Sequence, residues 1–344
     1  MFEGVDMDVR SSALGALYGL ACGDALGMPT QSMSPDQIER AYGGPVTGFR
    51  DAVDWQPIAP GMRAGSITDD TEQAVLLARR LIADDGNLDV HRYADDLIAW
   101  EAAMKAKGSL DLLGPSTKSA LQALRDDVSP EATGRFGTTN GGAMRAAPVG
   151  IAYPRTPELD AAARRSCIVT HNTVQGIEAT TLIAYAVSCG IDGLGVREAL
   201  DAAVAHIRAT AVQGYWSAKA SVLERTQWIL DETRQHAYDD ESFAALLRKV
   251  CGTSVEANES VPAAFAIANR FADDPFRALC FAASLGGDTD TIAAMAGAVI
   301  GACLGVEAFD ADYLATLRAV NGLELEPVAE GLLAIRQRRE RGVR

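Results

Sequence analysis

Apolar residues recur along most of the chain at spacings of three and four, the period of an α-helix. Residues 10–28 show it first. Leu14, Leu17, Tyr18 and Ala21 fall at i, i+3, i+4 and i+7; Ser11 or Ser12 would cap the helix and Pro29 would end it. Gly15, Gly19 and Gly23 recur every four residues in the same segment, which predicts a smooth ridge packed closely against a neighbour. A short helix is predicted at 35–41, inside a long Gly- and Pro-rich connection over 29–66. Helices follow at 71–84 and from Asp89 or Val90 to about Lys105, the latter with Tyr93, Leu97 and Trp100 on one face. Another is predicted at 116–126, with Ser116 as cap and Leu121 and Leu124 facing inward. The same periodicity marks 158–170, 174–189, 196–212, 219–234, 241–250, 258–272, 275–285, 289–303, 310–319 and 326–341. β-Branched clusters are short and no run of strands stands out. The pattern predicts an all-α fold. No Pro/Ser-rich linker divides the chain, so one compact domain over 1–344, with its core at about 10–320, is expected in place of the two that length alone suggests.

Two short acidic turns interrupt this helical pattern. The first is Thr68-Asp69-Asp70-Thr71 and the second is Asp288-Thr289-Asp290-Thr291, preceded by Gly286-Gly287. Each leads straight into a helical run, where carboxylates and hydroxyls suit the free N–H groups and the dipole. Capping needs one oxygen at one position, however, and here four carboxylates and several hydroxyls form two near-copies of one pattern. Clustered carboxylates raise one another's pKa unless a cation compensates them. Mg²⁺, Mn²⁺ and Ca²⁺ all take oxygen ligands. Capping and metal binding both remain open on the residues alone.

Composition narrows the classes. Nearly half of the 344 residues are apolar, which argues against disorder. The net charge of −15 disfavours nucleic acid and anionic membranes as partners. No run of about 18 apolar residues suggests a membrane span, and the acidic N-terminus lacks the apolar stretch of a signal peptide; a cytoplasmic protein is the expectation. The six cysteines form no CxxC pair, so a zinc site is not expected, and Cys167, Cys189, Cys280 and Cys303 read as small core residues. The basic tail Arg336–Arg341 reads as solvated at a helix C-terminus.

Three further places carry candidate chemistry. Asp24 sits in the apolar first helix, where a buried carboxylate bonded to a backbone end or to Arg is favoured over a catalytic one. Gly137-Thr138-Thr139-Asn140-Gly141-Gly142 opens a small-residue helix that Pro148 should kink or end; it reads as a tight turn or as a backbone nest for phosphate. His171 lies at a helix junction, where capping and ligand contact both fit. His91, His206 and His236 are left as surface or core residues.

Taken in order, Gly23-Asp24-Ala25-Leu26-Gly27, Thr68-Asp69-Asp70-Thr71, Asn140-Gly141-Gly142-Ala143-Met144-Arg145, Thr170-His171 and Gly286-Gly287-Asp288-Thr289-Asp290-Thr291 resemble the ADP-ribosylglycohydrolases over about residues 13–303. The resemblance implies an orthogonal all-α fold with two Mg²⁺ or Mn²⁺ ions at the base of a cleft. It implies metal ligation by Thr68, Asp69, Asp70, Asp288, Asp290 and Thr291. A carboxylate among Asp69, Asp70 and Asp288 can then take the proton of a bound water, and Asp69 or Asp70 is the expected base. Asn140, Gly141 and Gly142 would line a diphosphate site, His171 the ribose region, and Ser116 and Gln31 would complete the substrate-binding set. The implied reaction is hydrolysis of an ADP-ribosyl or related ribosyl bond on a protein or a small molecule. One position departs from the pattern: Gln31 stands where members acting on ADP-ribosylated proteins usually carry Glu, and an amide can be neither base nor strong metal ligand. That departure leaves a small nucleoside-like substrate, or a non-catalytic ADP-ribose binder, as the alternatives. A structural protein without activity is disfavoured by the intact acidic set.

Overall fold

The computed structural model describes residues 8–108 and 113–342. The acidic N-terminal stretch, apart from Asp8, lies outside the described residues. The helices are α1 (Val9–Gly27), α2 (Pro35–Tyr42), α3 (Asp69–Ala83), α4 (Val90–Ala106), α5 (Pro115–Arg125), α6 (Pro130–Thr133), α7 (Gly141–Met144), α8 (Ala147–Ala152) and α9 (Pro157–Cys167) in the first half. The second half holds α10 (Val174–Ile191), α11 (Val196–Ala209), α12 (Val222–Gln235), α13 (Asp240–Leu246), α14 (Ala257–Arg270), α15 (Pro275–Ala283), α16 (Thr289–Leu304), α17 (Ala311–Asn321) and α18 (Glu326–Gly342). Among the described residues there are no strands, only isolated bridges such as Met33 with Gly287. The fold is all-α, as the periodicity predicts.

Helices α1, α10 and α16 are apolar nearly all round and are buried accordingly. The 18 residues of α10 are long and apolar enough to span a membrane by composition, yet 89% of them are buried inside the fold. One hydrophobic cluster runs from Ala13 to Ile335.

The glycine ridge explains how the two acidic turns meet. A Cβ on Gly15, Gly19 or Gly23 would lie 2.1 Å from the Gly301 carbonyl oxygen, 2.2 Å from that of Gly297 and 2.2 Å from that of Ala293. The partner numbers fall by four as the ridge numbers rise, so α1 and α16 run antiparallel with their backbones in direct contact. The next step along the ridge sets Gly27 against Asp290. The C-terminal end of α1 is thereby locked beside the first turn of α16, and Asp24, one turn earlier, reaches the start of α3.

Several local expectations are corrected. Asp8, not Ser11 or Ser12, caps α1, accepting from the Arg10 amide. Gly114 occupies the cap position of α5, and Ser116 lies inside that helix. Pro148 neither kinks nor ends the helix that follows the glycine turn: α7 stops at Met144, and Pro148 stands at the start of α8, where its missing N–H costs nothing. Arg336 is not solvated. It is 3% exposed and donates to the Tyr153 carbonyl at 2.7 Å and to Asp192, because α18 packs along α8 and must satisfy that helix's last carbonyls.

Candidate functional site

The first acidic turn is built on Asp24. Its carboxylate accepts from the Thr68 amide at 3.0 Å, the Thr68 hydroxyl at 2.7 Å, the Thr71 amide at 3.1 Å and the Thr71 hydroxyl. These are the amides that the start of α3 would otherwise leave without partners. Burial pushes Asp24 up to about 6 against the lowering effect of those four bonds. This is the backbone-end role favoured for it from sequence.

Held this way, α3 presents Asp69 and Asp70. Asp70 is fully buried. One oxygen accepts from Thr291 at 3.1 Å and from Thr68 at 3.4 Å, while Oδ1 has no hydrogen-bond partner. Burial, then Asp290, Asp69, Asp24 and Asp288 in turn, raise its pKa well above the carboxylate range. The second turn faces it. Asp288 stands at the cap position of α16 yet makes no capping bond; its Oδ2 accepts from Asn140 at 2.5 Å. Burial raises Asp288 to about 6, opposed by Asn140 and Thr291. Capping alone does not account for the second turn.

These groups open on a cavity of about 260 Å³. Gln31, Asp69, Asn140, Gly141, Asp288, Asp290 and Thr291 line it, together with Gln73, Lys118 and Val255. Gln31 is held in place by its own backbone: its carbonyl accepts from Gln56 at 2.8 Å, and the next amide, of Ser32, donates to the Gly287 carbonyl at 2.7 Å. Its side chain is 6% exposed and its Nε2 has no partner.

A buried hydrogen-bond chain lies behind the cavity. Gln73 Nε2 donates to Asp69 at 2.7 Å, and its Oε1 accepts from Arg145 at 2.8 Å. Arg145 is 1% exposed and also donates to Thr170 at 2.7 Å. Thr170 bonds His171 Nδ1 at 2.7 Å, and His171 Nε2 bonds Thr139 at 2.9 Å, whose hydroxyl donates to Ser116 at 2.9 Å. Burial and the Arg145 charge lower His171 to about 3, so its ring is neutral at physiological pH.

The structure brings some of the sequence-predicted residues to the cavity and leaves others outside its lining. Gln31, Asp69, Asn140, Gly141, Asp288, Asp290 and Thr291 reach it. Asp70 is bonded to Thr291 outside the lining, and Thr68 lines an adjoining cavity. His171 is fully buried behind Gly141, Ser116 reaches the site only through Thr139, and Gly142 packs against Thr180 and Cys167. Gln73, Arg145 and Lys118 were not singled out from sequence. Gln73 follows Asp69 by one helical turn, a spacing that places both on one face of α3; Arg145 ends the Asn140–Arg145 stretch that carries the resemblance but has no role assigned there, and Lys118 carries no comparable signal.

Among the described residues, no three carboxylate, imidazole or thiol groups are grouped so that they could hold a metal ion by themselves. The donors are mixed: carboxylates with the Thr68 and Thr291 hydroxyls. All are oxygens, they carry more negative charge than buried groups keep unaided, and Asp70 Oδ1 is buried without a partner. That chemistry fits a hard divalent cation.

The ADP-ribosylglycohydrolase sequence profile matches residues 6–342. The uncharacterised protein YegU of Escherichia coli (strain K12) is 34% identical over 330 residues, covering 95% of this chain and 98% of that protein. The ADP-ribosyl-[dinitrogen reductase] glycohydrolase of Rhodospirillum rubrum is 26% identical, covering 95% and 97%. A solved ADP-ribosylglycohydrolase-related protein complex superposes with a TM-score of 0.72 at 25% identity, covering 95% of this chain and 98% of that one. The chain belongs to the ADP-ribosylglycohydrolase family, and with it to the hydrolases of glycosidic bonds.

Proposed function

We propose that the cleft hydrolyses an ADP-ribosyl or related ribosyl glycosidic bond with the help of one or two Mg²⁺ or Mn²⁺ ions. The observation that carries this reading is the convergence of Asp69, Asp288, Asp290 and Thr291 at one small cavity, with Asp70 bonded to Thr291 and Thr68 just outside its lining. Those six residues would hold the cations. When bound, divalent ions supply ribose-hydroxyl chelation and a water of lowered pKa. The rest is done by the chain. Asn140 and Gly141 offer the glycine turn to a diphosphate, and Lys118 adds positive charge in a chain of net charge −15. Gln73 orients Asp69, the half-buried carboxylate assigned to take the proton from the attacking water. The neutral His171 stiffens the back of the turn through Thr139.

Gln31 favours a small ribosyl substrate over an ADP-ribosylated protein. Its unpartnered amide N–H lines the cavity and would donate to a ligand oxygen, a neutral contact that an acidic residue there could not make. The test is incubation with ADP-ribosylarginine, ADP-ribosylserine peptide and a panel of ribosides, with Mg²⁺, with Mn²⁺ and with EDTA. Release of ADP-ribose or ribose that EDTA abolishes is expected. Release of equal size with EDTA refutes the cation, and no release from any substrate refutes the hydrolase reading in this cleft.

A further inference from the structure

A second cavity, of about 660 Å³, meets the 260 Å³ cleft at Asp69 and Ile58, residues that line both. Ile58, Met62, Ile67, Trp100, Met104 and Val320 form its apolar wall. Glu72 lies in the same wall, three residues beyond Asp69 on one face of α3, and accepts the Trp100 indole N–H at 2.5 Å. The Asn321 side chain at its edge is already committed, donating to the Gly65 and Leu317 carbonyls. The chamber is thus large, open on the acidic centre and of mixed character, with Ser66, Thr68 and Lys107 in its lining beside the apolar residues.

Its position relative to the glycine turn gives it a role. Asn140 and Gly141 line the small cavity and not the chamber. We propose that a ribose held at the acidic centre with its phosphate side toward that turn directs its C1 side toward Asp69 and Ile58, that the chamber beginning there is the leaving-group subsite, and that it takes a planar aromatic N-heterocycle of nucleobase size. This rests on the hydrolase reading of the cleft. The wall chemistry selects the class: two thioethers and an indole pair well with the faces and edges of aromatic rings, and the Glu72 carboxylate is the group placed to accept a ring or exocyclic N–H. The volume falls within the range of small-molecule sites. Hydrolysis there breaks the C1–N bond, whose electron pair stays on the ring nitrogen. The water oxygen bonds to C1, and the proton it gives up passes to a base that leaves as an anion, as hypoxanthine does, or to solvent when the base leaves neutral, as nicotinamide does; the products are a free ribosyl hydroxyl and a neutral heterocycle.

The experiment uses the full chain, with nicotinamide and hypoxanthine as free-base probes. Trp100 is buried, whereas Trp55, Trp216 and Trp228 are 46%, 82% and 40% exposed, so short-wavelength emission reports on the chamber. Saturable quenching by a free base is expected without any metal; it should vanish in Val320→Phe, which narrows the chamber from α17 without adding a tryptophan, and in Trp100→Phe, which removes the reporter. In turnover, Val320→Phe should lower kcat/KM for a heterocyclic N-riboside by on the order of tenfold to a hundredfold, with ADP-ribose affinity unchanged. Failure of both bases to bind overturns the subsite even if hydrolysis of some riboside is found. Binding that Val320→Phe abolishes, with no riboside cleaved, shows that the chamber takes the heterocycle and that it is the hydrolase reading that fails. A Val320→Phe defect confined to ADP-ribosylarginine would assign the chamber to a guanidinium and overturn the heterocycle.

Discussion

Removing the Asp24 carboxylate should unfasten the first acidic turn. In Asp24→Ala, the Thr68 and Thr71 hydroxyls can rotate toward other acceptors; Thr68 already lies 3.4 Å from Asp70. The two backbone amides cannot. Each buried N–H left without an acceptor costs about 1–3 kcal/mol, so a loss of about 2–6 kcal/mol is expected. Asp24→Asn tests the reasoning at finer grain. The Thr68 amide lies 3.0 Å from both carboxylate oxygens, and the Thr71 amide bonds Oδ2 at 3.1 Å. A single amide oxygen at the Oδ2 position therefore serves both, and Asn should lose less than half as much as Ala. The assay is urea denaturation of the three proteins without divalent ions. If Ala and Asn are equally stable, or Ala loses under about 1 kcal/mol, the turn does not depend on these bonds.

Three further outcomes are expected. Gly19→Ala places a Cβ 2.2 Å from the Gly297 oxygen, so α1 and α16 must part; a loss of about 1–3 kcal/mol in urea midpoint analysis is expected, and a neutral effect would refute the ridge. His171 titrates at about 3 in the fold and near 6.5 unfolded, so it favours folding above pH 6.5 and loses that contribution as the pH falls toward 3. The stability gap between wild type and His171→Gln should accordingly shrink by about 2 kcal/mol from pH 7 to pH 5, and a constant gap would refute a neutral buried ring. Gly141→Val puts a branched side chain where a Cβ already lies 2.9 Å from the His171 ring; ADP-ribose affinity should fall while Mn²⁺ affinity holds, and equal losses in calorimetry would make the turn purely structural.

The helical fold and the two acidic turns were legible because each is local: a period of 3.6, or four residues in a row. The glycine ridge was legible as a close contact, but its partner, α16, lies some 280 positions away by number and could not be read from spacing. Asp24 was visible as a buried acid, not as the anchor of Thr68 and Thr71, since that contact is long-range. Arg336 was misread because charge predicts solvent, and only tertiary packing reveals carbonyls in need of a donor. Gln73 and Arg145 escaped for the same reason: their role exists only once α3 and the turn after α7 are side by side.

The central claim, that the two acidic turns together hold divalent cations, is tested most directly by equilibrium dialysis of the whole protein against Mn²⁺. One or two ions per chain are expected for the wild type, and none for Asp70→Ala or Asp290→Ala at the same free Mn²⁺. Wild-type stoichiometry retained in both variants would contradict it.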